Sequence, residues 1–270
     1  MTVDEKIKYL LEKDAYSFDD LVMLVEVLRS EKGCPWDREQ DHKSIRKDLI
    51  EETYEVIEAI DTEDPALLRE ELGDLLLQVV FHARMETETG NFSADDVTND
   101  ICVKLIHRHP HVFGNVEANT SEKVLANWEV IKSEEKERKT VTDKLRAIPP
   151  MLPALMRAEK VGKKAKCFDF DSAEAVMDKI YEELEELKAA MSEGKNEDMT
   201  EELGDLLLSI TSLGRKIGVE SERALFLATE KFIGRFERLE DLVIESGKNI
   251  EEMSMEELDS IWEKNKHKNQ

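Results

Sequence analysis

Glu70-Glu71-Leu72-Gly73-Asp74-Leu75-Leu76-Leu77 recurs letter for letter as Glu201-Glu202-Leu203-Gly204-Asp205-Leu206-Leu207-Leu208. Upstream of each copy, at the same distance, stands a second acidic block: Glu51-Glu52 with Glu55, and Glu182-Glu183 with Glu186. Glu51 through Leu77 therefore aligns without a gap on Glu182 through Leu208. Leu68, Leu72, Leu75 and Val79 repeat at three- and four-residue steps, the period of a helix with a core-facing stripe. Glu52 and Glu55 are three apart, as are Glu71 and Asp74, so each pair shares one helix face about a turn apart. Only a few residues separate the two helical stretches. They must return antiparallel as a hairpin on which the carboxylate pairs face each other.

Magnitude decides what such a hairpin is for. Two carboxylates about 6 Å apart at an effective dielectric near 20 repel by roughly 3 kcal/mol. Four of them facing inward would remove much of a module's stability unless a cation neutralised them. A donor set of carboxylate oxygens without histidine or thiolate selects Mg²⁺, with Mn²⁺ as a substitute, over zinc. One acidic block alone would read as a solvated helix face. The repeated spacing points instead to two divalent-cation sites: Glu52, Glu55, Glu71 and Asp74 in one, Glu183, Glu186, Glu202 and Asp205 in the other. Duplication copies structural and functional residues alike, so the block does not say which hairpin works. Gly73 and Gly204 each cost up to about 1 kcal/mol against alanine in a helix interior, which predicts close approach of another helix there.

Working outward, the pattern is helical nearly throughout. Val22, Leu24, Val25 and Leu28 mark a helix that Gly33 and Cys34-Pro35-Trp36-Asp37 end. A helix over about 44–60 follows, with Ile45, Leu49, Ile57 and Ile60 among its apolar positions. Asp64-Pro65 then offers an N-cap and a first-turn proline. Gly90-Asn91 stops that helix, Ser93 caps the next, Pro110 ends it, and another passes through Val124, Trp128 and Ile131 into the charged run Lys132–Lys139. Residues 140–153 hold Pro149, Pro150 and Pro153 and read as a linker. Beyond it the order repeats: a helix over 155–164, an acidic helix over 172–191, a loop at Gly194, the helix of the second repeat, one through Phe226, Phe232 and Leu239, and a last one around Trp262. The fold class is all-α, as two similar modules in tandem, 1–139 and 154–270.

Composition agrees. A chain of 270 residues with 37% charged and 6% aromatic residues suits long amphipathic helices, and 40% hydrophobic residues oppose disorder. A net charge of −24 repels nucleic acid and anionic membranes. Cys34, Cys102 and Cys167 form no CxxC pair, as expected in a reducing compartment. No apolar leader stretch opens the chain and no run approaches a membrane span, so a cytoplasmic protein is expected.

Carboxylate-held Mg²⁺ commonly bridges to phosphate oxygens, which calls for nearby positive charge. Lys104 and Arg108 follow the first acidic hairpin four apart, and Lys231 and Arg235 follow the second at the same spacing. The most basic stretch, Arg157, Lys160, Lys163, Lys164 and Lys166, lies at the entrance to the second module. Singly these are surface charges; a basic pair after each acidic hairpin is better explained by a polyphosphate between metal and cations. Other signals are weaker. His107, His109 and His111 read as a helix end holding its C-terminal dipole rather than a metal cluster. Glu39–His42 is a lone Glu-x-x-His, too little for a di-iron bundle. Neither a P-loop nor a Gly-x-Gly-x-x-Gly stretch is present. Cys34 reads as a small buried residue, and Trp128 and Trp262 as packing.

Gly33-Cys34-Pro35-Trp36-Asp37, Gln40, His42, Leu49-Ile50-Glu51-Glu52-Thr53-Tyr54-Glu55, the Glu-Leu-Gly-Asp at 71–74 and Arg108-His109-Pro110-His111-Val112-Phe113 together resemble the MazG family of nucleoside triphosphate pyrophosphohydrolases in its two-module form. Only the stretch before about Ser17 lacks a counterpart. The resemblance implies tandem all-α MazG-like domains, usually dimeric, that cleave NTPs and dNTPs to the monophosphate and diphosphate with Mg²⁺, in nucleotide-pool house-cleaning. It implies that the eight acids above are metal ligands and that Lys231 and Arg235 touch phosphates; from their charge and spacing alone, Lys163, Lys166, Lys104 and Arg108 are expected as further substrate contacts. Glu183 or Glu186 would orient or deprotonate the attacking water. One departure is Thr229, where family members often carry Asn. In some members only the C-terminal module hydrolyses, and the basic entrance helix favours the second module here too. Two rival readings remain: a hydrolase restricted to one substrate, such as dUTP/dCTP or phosphoribosyl-ATP, and a helical module that senses nucleotides or docks a partner without turnover.

Overall fold

The computed structural model describes residues 1–135 and 140–266, and among these every regular element is helical. The end of the charged run Lys132–Lys139 and the last four residues of the second module lie outside the described residues. The chain divides into two compact units, Met1–Lys132 and Ser133–Gln270.

The first unit opens with α1 (Val3–Leu11), in a stretch where the sequence reading placed no element. Thr2 caps it reciprocally with Glu5, satisfying two otherwise orphaned backbone donors. Ser17 and Asp20 make the same box for α2 (Phe18–Leu28). Lys13 Nζ donates to Asp20 at 2.6 Å, and with the Ser17 hydrogen bonds this holds the Asp20 carboxyl down at about 2. After α3 (Pro35–Glu39) come the hairpin helices α4 (Arg46–Asp61) and α5 (Pro65–Thr89). Asp64 caps α5, Pro65 fills its first turn and Gly90 ends it, as the sequence predicts. The core gathers Val25, Ile45, Val80, Phe81 and Met85, with Leu21, Leu24 and Leu77 against it. Arg29 locks this packing polar-side. It donates to both Glu88 oxygens at 2.9 Å and to the carbonyls of Asp37 and Gln40, so α2, α5 and the approach to α4 hold together. Then follow α6 (Ala94–Arg108), the short α7 (Pro110–Phe113) and α8 (Ser121–Glu135).

In the second unit, residues 140–153 are not plain linker. They carry α9 (Val141–Arg146), capped by Thr140, and the buried Ile148. α10 (Ala154–Lys164) packs on α12 and α13, while α11 (Ala173–Glu193) and α12 (Asn196–Ile217) form the acidic hairpin. α13 (Ser221–Glu245) packs against α14 (Met255–Lys266). Arg215 grips both Asp169 oxygens at 2.7 and 2.5 Å and Lys216 adds a third contact at 3.0 Å, fastening the turn after α10 to α12. These cations hold the Asp169 carboxyl far below the usual carboxylate range.

Two packing expectations fail. A Cβ on Gly73 or Gly204 would meet nothing within 4 Å, so among the described residues no helix approaches closely at either position. Of the stripe expected to face the core, Leu72 and Val79 stay 48% and 42% exposed. The core instead takes the neighbouring stripe through Val80, Phe81 and Met85, because α2 covers that side of α5.

The two hairpin turns differ in one instructive residue. In the α11–α12 turn Gly194 takes a left-handed conformation at φ 72°, and the position aligned with it, Glu63, does so at φ 55°. A side chain there costs about 1–2 kcal/mol that glycine does not. Glu63→Gly should therefore stabilise the first hairpin, and Gly194→Ala should destabilise the second, each by about 1 kcal/mol in urea unfolding of the full chain.

Candidate metal and phosphate site

The short turns set α4 against α5 and α11 against α12 so that carboxylates from both helices of each hairpin meet. In the first unit, one oxygen each of Glu52, Glu55 and Glu71 lie within 4.8 Å of one another, and Glu183, Glu186 and Glu202 do the same in the second. Asp74 and Asp205 complete each set electrostatically. Partial burial pushes the Glu52 carboxyl up, and the Asp74 charge and a hydrogen bond to Glu55 push it further. Glu71 is raised by burial and then by Glu55, Glu70 and Asp74. Glu202 is raised by burial, then by Glu186, Glu183, Glu201 and Asp205. Glu58, a turn beyond Glu55, also presses on Glu71. It was not singled out in the sequence, although its three-residue spacing from Glu55 carries the signal. An all-carboxylate set of this kind, strained by its own charge, fits a hard divalent cation.

The two sites are not equivalent. In the second, Lys179 Nζ lies 2.8 Å from Glu183 and 2.6 Å from Glu182, and these acids hold the ammonium well above its ordinary value. Glu183 is the buried member of its cluster, at 5% side-chain exposure. The aligned position in the first unit is Asp48, paired with Lys47 at 3.5 Å. The second site thus carries a cation against its buried acid, and the first has an acid at the aligned position. Lys179 escaped the sequence reading because an i,i+4 Lys–Glu pair on a helix is ordinary surface chemistry.

The expected phosphate cations are placed less uniformly. Lys104, Lys163, Lys166 and Lys231 are exposed and Arg235 is half-buried; none of the five forms an ion pair or hydrogen bond with the hairpin acids. Arg108 is buried with its guanidinium 5.3 Å over the Trp128 ring, a packing position. His109 closes the end of α6 as its dipole suggests, its Nδ1–H donating to Leu105 O at 2.6 Å, with the ring edge-on to Trp128. Trp262 packs on Phe232, and Cys34 is only half-buried. Thr229 Oγ bonds its own helix at Leu225 O, at 3.0 Å.

The domain described as the MazG nucleotide pyrophosphohydrolase domain matches residues 40–113 and again 171–239. The chain belongs to the MazG family. Each MazG segment contains one whole acidic hairpin, and the second reaches past Lys231 and Arg235. The chain is 45% identical over 251 residues to the Nucleoside triphosphate pyrophosphohydrolase/pyrophosphatase MazG of Thermotoga maritima, covering 92% of this chain and 95% of that one. To the Nucleoside triphosphate pyrophosphohydrolase of Escherichia coli strain K12 it is 43% identical over 253 residues, 91% and 95% of the two chains. It is 38% identical over 262 residues to the Bacillus subtilis protein YabN, spanning 96% of this chain and 52% of that longer one.

The raised carboxyls make a pH prediction. A carboxyl raised in the fold above its unfolded value of 4.5 weakens the fold as pH climbs through the raised value. A divalent cation that binds only the ionised set offsets that loss. Thermal unfolding should show Mg²⁺ raising Tm by several degrees near neutral pH and by nothing at about pH 4. Glu71→Gln with Glu202→Gln should raise the metal-free Tm at neutral pH and abolish the Mg²⁺ increment.

Proposed function

We propose that the chain is a nucleoside triphosphate pyrophosphohydrolase that cleaves NTPs and dNTPs to the monophosphate and diphosphate, with hydrolysis in the second unit. The observation that carries this reading is the convergence of three carboxylates within 4.8 Å on a hairpin inside each MazG segment. The sequence relatives named for that activity support it over nearly their full lengths.

Glu183, Glu186, Glu202 and Asp205 would hold Mg²⁺, or Mn²⁺ in its place. Bound there, the ion supplies charge neutralisation on phosphate oxygens and on the departing diphosphate. Glu186, exposed and free of the lysine contact, would orient water and accept its proton. Lys179, in contact with the buried Glu183, would supply positive charge beside the phosphates. The water oxygen bonds to phosphorus, the α–β anhydride bond breaks, and monophosphate and diphosphate leave. Lys231 and Arg235, with Lys163 and Lys166, are the proposed contacts for the terminal phosphates. Among the described residues of the first unit no cation stands against Glu52 as Lys179 does against Glu183, which favours the second unit for turnover.

A homodimer is part of the proposal. The hairpins leave Ile50, Tyr54 and Leu76 open in one unit and Leu203, Leu207 and Leu208 in the other, an apolar area that a second copy can cover. No helix among the described residues is long and apolar enough to cross a membrane, and a cytoplasmic location is proposed.

Incubating each NTP and dNTP with the protein and Mg²⁺ should yield monophosphate plus diphosphate. Nucleoside diphosphate plus phosphate would overturn the reading, and Mg²⁺-dependent binding without products would favour the sensing module. Glu202→Ala and Asp205→Ala should each lower diphosphate release at least about 100-fold with helicity unchanged. Activity retained in both would move catalysis out of the second unit.

A further inference from the structure

The first unit brings together a second group of side chains of types that ligate metals, which its acidic site does not use. His42, in the turn before α4, and His82, on α5, approach with Nδ1 atoms 2.7 Å apart and ring planes nearly parallel at 9°. The other nitrogen of His42, Nε2, lies 2.6 Å from Glu86 Oε1. Glu86 is kept ionised: Asn91 Nδ2 donates to its second oxygen at 2.6 Å and its carboxyl lies below its ordinary value.

The protons follow from this geometry. An ionised carboxylate at 2.6 Å requires His42 Nε2 to carry its hydrogen and donate it. Two imidazole nitrogens 2.7 Å apart can hold one proton between them and not two. Burial and the neighbouring ring disfavour charge on His82. With Nε2 of His42 committed to Glu86, its Nδ1 is free to serve as a lone-pair donor. His82 can present its Nδ1 likewise by moving its proton to Nε2. A metal-bound imidazole whose far N–H is held by a carboxylate is the usual way proteins orient a histidine ligand. Two nitrogens on one tetrahedral zinc stand about 3.3 Å apart, so roughly half an ångström of His42 movement opens the gap.

We propose that His42 and His82 form a transition-metal site of the Zn²⁺ class, with Glu86 orienting His42, separate in position and chemistry from the carboxylate clusters. Nitrogen donors take borderline cations in preference to Mg²⁺, whereas the all-oxygen carboxylate sets are ones that millimolar Mg²⁺ can fill. One turn before His82 on the same α5 face, Gln78 Oε1 is buried without a hydrogen-bond partner, a further oxygen on that face. Glu71, Asp74, Gln78, His82 and Glu86 follow one another at three- and four-residue steps, so the site continues the α5 face that carries the acids. It also ties the start of α4, already anchored by the Arg29 contacts to Asp37 and Gln40, onto α5. In the second unit the same register holds Ala173, Leu213 and Ile217 in place of His42, His82 and Glu86. The site belongs to the first unit alone, unlike the acidic block.

The test uses the full chain with millimolar Mg²⁺ filling the carboxylate sites. Zn²⁺ added to ¹⁵N-labelled protein should shift the His42 and His82 ring nitrogens first, at one equivalent, and Co²⁺ should develop visible absorption of imidazole ligation. His82→Ala and His42→Ala should each weaken Zn²⁺ binding at least about 10-fold, and Glu86→Gln by roughly 10-fold. The proposal is overturned if Zn²⁺ saturates the protein while both ring signals stay put, or if wild type and the His42→Ala/His82→Ala double variant titrate alike. Should a variant fail to fold, the nitrogen shifts of the wild type decide alone.

Discussion

The mutual repulsion of carboxylates at the mouth of each hairpin is the constraint on which the rest of the molecule depends. The chain brings three acids within 4.8 Å twice over, and their burial, followed by the charge they share, lifts Glu52, Glu71 and Glu202 above their ordinary values. Such an arrangement survives only because rigid features around it hold the helices together. The Arg29 clamp and the Val80–Phe81–Met85 core do so in the first unit, and the Asp169–Arg215 lock does so in the second. A cation bound at either site would gain what the fold gives up there.

The same repeat serves different surroundings. Lys179 stands against Glu183, whereas the aligned position in the first unit is Asp48, itself paired with Lys47, although the acids align residue for residue. A single i−4 position thereby alters the field at a buried carboxylate without touching the ligand set. The histidine pair near α4 extends the contrast, because only the first unit has nitrogen donors on the continuing face of α5.

Much of this was legible in the residues. Capping residues and breakers act locally, so Asp64-Pro65, Ser93, Gly90 and Gly194 bounded their helices as read. The acid pairs were legible because helical spacing and a short turn leave one way to face each other. What escaped were relations that depend on which neighbour covers a face. α5 carries two apolar stripes, and nothing local says that α2 covers Val80 and Met85 while Leu72 and Val79 stay open. Gly73 and Gly204 looked like contact points and meet open space within their own chain. Arg108 looked like a phosphate cation and lies buried on Trp128.

By itself, then, the sequence determined the helical class, the duplication, and the carboxylates that meet on each hairpin. These follow from a 3.6-residue period and turns too short to allow another pairing. Only the tertiary structure decided which cations stand against those acids, which stripe of α5 is core, and that His42 meets His82 and Glu86 from 40 and 44 residues away. Contacts over such separations arise from packing between elements, and no periodicity along the chain records them.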